Sequence, residues 1–156
     1  MRRKDREVTD ENKIEEIMSK CHCCHLGLND DGKVYIVPLN FGFVKEKGKY
    51  ILYFHGAKEG RKIDIINKNN LVGFEMDRNY ELVTGNTACN YSALYQSIIG
   101  NGKISFVEDK KEKIKGLNAI MRQTTGNGQW EFKDKMLDVV AVLRVDVDEL
   151  SCKEHL

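Results

Sequence analysis

The sequence predicts a mainly β fold, an antiparallel barrel with helices packed outside it. Three observations carry this. Large apolar residues occupy every second position from Tyr35 to Phe43. Other segments rich in Val, Ile, Tyr and Phe are separated by turn-forming or charged clusters, and helical spacing is confined to a few short stretches. The count is six or seven strands with three or four helices and no internal repeat, which closes most easily as a barrel.

In chain order, Thr9 or Asp10 can cap a short helix whose Ile14, Ile17, Met18 and Cys21 form one apolar stripe. Leu26 and Leu28 then lead to the turn cluster Asn29-Asp30-Asp31-Gly32 and a second strand. That strand reads as one run from Val34 to Val44, with Tyr35, Val37, Leu39, Phe41 and Phe43 on a face buried throughout. Its other face carries Ile36, Pro38, Asn40 and Gly42, smaller and partly polar, as expected if something other than side chains covers it. Lys45 to Lys49 form a charged hairpin tip, and Tyr50 to Phe54 return as a strand. Gly56 to Lys62 read as a loop leading into a short helix with Ile63 and Ile66. Further strands are expected at Leu71–Met76, Tyr80–Val83, Tyr95–Val107 and Val139–Val147. Asp109 starts a helix with Ile114, Leu117, Ile120 and Met121 on one face, and Trp130 is expected as a core anchor.

Composition narrows the function classes. With 156 residues, 41% of them hydrophobic, the chain is expected to be one domain spanning residues 1–156. A net charge of +1 leaves no basic field for a nucleic-acid backbone. No apolar run reaches membrane-span length, and the charged start is not a signal peptide, so a soluble cytoplasmic protein is expected. The 5 cysteines, an odd number with three crowded at Cys21, Cys23 and Cys24, fit reduced thiols better than a disulfide framework.

Three stretches could carry chemistry. In Tyr53-Phe54-His55-Gly56-Ala57-Lys58-Glu59-Gly60-Arg61-Lys62, two glycines allow close backbone approach, a helix start offers unpaired N–H groups, and Arg61 and Lys62 add two cations. Phosphate binding needs such a set, although an ordinary turn beside exposed bases has the same residues. The glycine spacing is not that of a P-loop. In Tyr95-Gln96-Ser97-Ile98-Ile99-Gly100-Asn101-Gly102, hydroxyl and amide groups precede alternate glycines, which mark either a barrel corner or close approach of a ligand. The run Cys21-His22-Cys23-Cys24-His25 has metal-ligating residue types but no second ligand cluster, so no metal centre is expected there.

Placed in order, Tyr35-Ile36-Val37-Pro38-Leu39-Asn40-Phe41, His55-Gly56-Ala57 with Gly60-Arg61-Lys62, and Tyr95-Gln96-Ser97 through Gly102 resemble the flavin-binding split-barrel superfamily of pyridoxamine 5'-phosphate oxidase-like proteins. Within it they most resemble the 5-nitroimidazole resistance branch, over roughly Met1 to Glu154. The resemblance implies a six-stranded antiparallel split barrel that dimerises, with FMN, or FAD, in a cleft between subunits. It implies that Val37, Pro38, Leu39 and Asn40 run along the flavin ring. His55, Gly56 and Ala57 would line its ribityl and phosphate side, Arg61 and Lys62 would clamp the phosphate, and Tyr95 and Ser97 would contact it from near the dimer interface.

Two departures qualify the match. Members of that branch often carry histidine where Arg61 stands, so its chemistry does not transfer, and His55 is the remaining candidate for a catalytic side chain. The Cys152–Leu156 end also lacks the arginine- and histidine-rich strand with which true pyridoxamine phosphate oxidases grip substrate, so vitamin B6 synthesis is not expected. The implied activity is reduction of a nitro-aromatic or related small acceptor with electrons from NAD(P)H; a flavin- or haem-binding protein without turnover, acting as carrier, sensor or storage, is the alternative.

Overall fold

In the computed structural model, which describes residues 3–156, one antiparallel sheet takes up nearly half of the chain. The elements are β1 (Glu7–Val8), α1 (Glu11–Ser19), β2 (Cys24–Asp30), β3 (Lys33–Leu39), β4 (Phe41–Glu46), β5 (Lys49–Ala57), α2 (Arg61–Lys68), β6 (Leu71–Val83), β7 (Ser92–Phe106), α3 (Lys110–Thr125), α4 (Asp134–Val139) and β8 (Val140–His155). The strands lie in the order β3-β2-β6-β7-β8-β5-β4, with the short β1 paired to β8.

This order makes the barrel split. The two edge strands, β3 and β4, follow one another in sequence with only Asn40 between them, yet they stand at opposite ends of the sheet. The run expected as one strand from Val34 to Val44 is therefore two. β3 pairs with β2 as far as Leu39, and β4 starts pairing with β5 at Phe41. Counted as one run through Asn40 they give six barrel strands, with β1 outside. The sheet curls because its inner face must bury one core. Leu26 of β2, Phe41 of β4, Phe54 of β5, Phe74 of β6, Ile98 of β7 and Leu143 of β8 all belong to the same apolar cluster. The expected continuous burial stops at the edge, since Tyr35, Val37 and Leu39 are half-buried while Phe41 is fully covered.

Local signals explain the joints. Asp10 caps α1 by accepting from the Asn12 N–H at 2.8 Å, and Ile14, Ile17 and Met18 then face the core. Asp31-Gly32 and Lys47-Gly48 all have positive φ, the backbone that two-residue hairpins require. Asp109 caps α3 through the Glu112 N–H at 2.9 Å. α3 buries Gly116, Ala119 and Ile120, a stripe displaced from the expected Ile114–Met121 face. The cause is close approach: a Cβ on Gly42 would collide with the backbone of Ala119 and Ile120, and one on Gly116 would meet the Tyr53 ring at 2.7 Å.

Several boundaries differ from expectation. Leu71–Met76 and Tyr80–Val83 are one strand, irregular between Arg78 and Glu81 where Asn79 takes φ 56°. β5 continues past Phe54 to Ala57, and β8 continues past Val147 to His155, because each has a partner along its extra length. Trp130 is not a core anchor. It is 44% exposed and donates its indole N–H to the Asn127 carbonyl at 2.9 Å, fastening the loop after α3. Among the described residues no helix is long and apolar enough to cross a membrane.

Candidate functional site

The split brings together most of the residues nominated from sequence. Its one side is the free edge of β3, from Lys33 to Leu39, which pairs only with β2. Its other side is the end of β5. Phe54 is the last β5 residue opposite β4, so His55, Gly56 and Ala57 pair with β8 alone and leave their other backbone edge without a strand. Asn40, exposed, is the vertex where the two sides diverge. On β3, Val37 and Leu39 pack half-buried against the core, whereas Pro38 and Asn40 alternate to the exposed face. Pro38 has no N–H to donate, which an edge strand tolerates and a central strand does not.

The first turn of α2 bridges the two sides. Gly60, at φ 117°, bends the chain from β5 into the helix in a backbone region that side chains disfavour. Its carbonyl accepts from the N–H groups of Ile63 and Asp64, leaving those of Arg61 and Lys62 at the helix start. Lys62 reaches back to β5: a Cβ on Gly56 would lie 2.9 Å from its Nζ and 3.2 Å from its Cε. Gly56 is thus a hollow filled by an ammonium group, and among the described residues Lys62 has no carboxylate partner. Arg61 leans the other way, its guanidinium 4.4 Å from the Tyr35 ring centre on β3 and its Nη2 donating to Asp30 Oδ2 at 3.2 Å. Most of its donors stay free for an anion. His55 is exposed, with no side-chain hydrogen bond among the described residues. The set suits a phosphate group at the helix start and an extended ligand along the β3 edge.

Tyr95 and Ser97 are not brought to the split of the same chain. They lie half-buried on β7, three strands from β3 in the sheet order, roughly 14 Å at the usual strand spacing. The Tyr95 ring packs edge-on to His155 with centres 6.3 Å apart, and Ser97 sits opposite Asp77 and Lys153. The Cys21–His25 run does not converge either. Cys21 and Cys24 are buried, whereas His22 and His25 are exposed. Burial pushes the Cys21 thiol up to about 12 and raises Cys24 as well, so both stay protonated and poor as nucleophiles or ligands.

Residues 10–154 match the family model described as pyridoxamine 5'-phosphate oxidase. The chain belongs to the pyridoxamine 5'-phosphate oxidase family. Among family structures, a Bacteroides thetaiotaomicron protein provisionally named a 5-nitroimidazole antibiotic resistance protein is 34% identical, with a TM-score of 0.81 over 94% of this chain and 85% of that one. Two more distant structures share the fold. The flavocytochrome Anf3 of Azotobacter vinelandii has 19% identity and TM-score 0.80 over 100% of this chain and 72% of its own. The FAD- and haem-binding protein of Mycobacterium smegmatis has 16% identity and TM-score 0.82 over 96% and 73%. No curated protein sequence matches significantly.

Sequence reasoning missed what holds this family member's Arg61, namely Asp30 and Tyr35, which come from the β2–β3 hairpin. It also missed Glu75 and Asp77 on β6, beside His25. The alternation Glu75-Met76-Asp77 was the available signal, since alternate strand residues share a face.

Proposed function

We propose that the protein is a flavin-dependent oxidoreductase, an FMN-binding homodimer that passes electrons from NAD(P)H to a nitro-aromatic acceptor of the 5-nitroimidazole kind. The observation that carries this is the split itself: two unpaired backbone edges with the Gly56–Lys62 hollow and the α2 start at their mouth. When bound, FMN supplies the hydride and electron chemistry. The chain's own work is to bind and orient. Lys62 and the α2 N–H groups neutralise the phosphate, and Arg61 adds donors from the β3 side. Pro38, Leu39 and Val37 present backbone to the ring, and Asn40 offers an amide at the vertex. His55 is the ionisable group of this stretch that can hand a proton to an acceptor. FAD fits the same reading if the mouth of the split admits an adenylate beyond the phosphate.

Tyr95 and Ser97 support the dimer. They lie too far along the sheet to serve their own split, so they would serve that of a second copy. The outer sheet face also exposes Val34, Ile36 and Ile99, at 77%, 62% and 51%, beside Gly27, Gly73 and Gly100. Such an apolar stripe fits a copy of the same surface. Five free cysteines fit a reducing cytoplasm.

The test is the visible spectrum of the purified protein after FMN addition, followed by NADH and NADPH oxidation with and without a 5-nitroimidazole. Saturable flavin binding with nitroimidazole-dependent oxidation supports the reading. Flavin or haem binding with no rate above free flavin makes the protein a binder without turnover, a carrier, sensor or store. Binding of neither flavin nor, when it is added instead, haem removes both.

A further inference from the structure

We propose that His25, Glu75 and Asp77 form a binding site for a divalent first-row transition-metal ion such as Zn2+ on the outer face of the sheet. His25 of β2 and Glu75 of β6 are direct cross-strand partners, and Asp77 follows on the same face of β6. Their ligand atoms lie within 4.8 Å of one another. His25 Nδ1 and Glu75 Oε2 are already 3.1 Å apart, near the edge of about 3.3 Å that a tetrahedral ion with bonds of about 2.0 Å would impose. Little movement is needed to close that edge, and a side-chain rotation brings Asp77 in.

Charge favours an occupant. Two carboxylates share one strand face, yet among the described residues neither Glu75 nor Asp77 pairs with a lysine or arginine. The imidazole compensates at most one of them. The donors also stand on paired strands rather than on loops, so the scaffold is ordered before the ion arrives. One nitrogen with two carboxylates is a borderline donor set. It suits Zn2+, Co2+ or Ni2+ better than Mg2+ or Ca2+, which prefer all-oxygen shells. The His25 and Glu75 side chains are 44% and 38% exposed, leaving room for water at the remaining positions.

This arrangement supplies what the Cys21–His25 run lacks by itself. The second ligand pair comes from a strand about fifty residues further on, brought alongside by the β2–β6 ladder. The site uses none of the residues assigned to flavin, although His25 and Glu75 border the apolar stripe proposed to meet a second copy.

Chelator-treated full-length protein is titrated with Co2+ and with Zn2+, following the visible bands of bound Co2+ and calorimetric heat. The expected result is one ion per chain, weakened at least about tenfold in His25→Ala and in Asp77→Asn, a factor already typical of losing an outer-shell partner. Cys23→Ser should bind as the parent does, and circular dichroism melts confirm that each variant is folded. Absence of saturable binding overturns the site. So does binding that survives His25→Ala or is lost in Cys23→Ser, which would move the ion to the thiol run.

Discussion

Gly56→Ala separates the candidate site from the fold. The new Cβ would sit 2.9 Å from Lys62 Nζ and 3.2 Å from Cε, the far end of a flexible side chain, so the lysine moves and the backbone does not. Replacing a strand glycine by alanine gains about 0.5–1 kcal/mol, which offsets the lost contact and holds the net change to within about 1 kcal/mol. For a chain of this size the melting midpoint should shift by less than about 4 °C. Binding should fare worse. An ammonium moved from about 4 to about 6 Å from a phosphate charge, at an effective dielectric near 20, loses about 1.4 kcal/mol, or roughly tenfold in affinity. Quenching of FMN fluorescence measures the affinity, and a circular dichroism melt measures the fold. Gly42→Ala is the contrast, because its Cβ would strike the backbone of Ala119 and Ile120 and the protein should lose its fold. Unchanged FMN affinity in a folded Gly56→Ala protein would refute the role given to the Lys62 hollow.

Other consequences are as direct. Tyr53 is buried with its hydroxyl donating to Glu112 Oε1 at 3.1 Å, and burial first, then Glu112, pushes its pKa up to about 12. The folded state therefore keeps a proton that the unfolded chain releases near pH 10; the stability it contributes is complete below pH 10 and lost as pH rises through about 12. Alkaline titration at the tyrosinate band should show a late component that shrinks in Tyr53→Phe, the remainder belonging to Tyr50, whose pKa burial and Glu15 also raise. Thiol labelling at pH 8 should modify exposed Cys89 first and half-buried Cys23 more slowly; labelling of Cys21, Cys24 or Cys152 without denaturant would contradict their burial. Ile36→Glu places a charge in the exposed apolar stripe, 62% exposed in one chain, and should convert the proposed dimer to monomer in size-exclusion chromatography with little change in melting temperature.

Much of the barrel was legible because its signals are local. The caps at Asp10 and Asp109 and the hairpin turns at Asp31-Gly32 and Lys47-Gly48 are each written within a few residues. Pro38, Asn40 and the stretch from His55 to Lys62 with its two glycines and two cations could be singled out for the same reason, whereas Val37 and Leu39 were named by the family resemblance. The break at Asn40 was not legible. Alternation runs unbroken from Tyr35 to Phe43, and only the choice of β2 or β5 as partner divides it. The grouping of His25 with Glu75 and Asp77, and of Arg61 with Asp30, likewise depends on which strands become neighbours, information that no window of sequence contains. Trp130 misled because size argued for burial, whereas its N–H found a carbonyl in a surface loop.

The joint at Asn40 also governs how the chain reaches its native state. β8 stands between β7 and β5, so without it the sheet would fall into β3-β2-β6-β7 and β5-β4, tethered at one residue. β5 must wait for a partner synthesised about ninety residues later, with Ile51 meeting Asp146. Pairings so remote in sequence give a high contact order and place folding in the slow, millisecond-to-second regime of β proteins. The cleft acquires its second wall only when the last long strand docks, so recovery of ligand binding during refolding should report completion of the whole sheet rather than of any part.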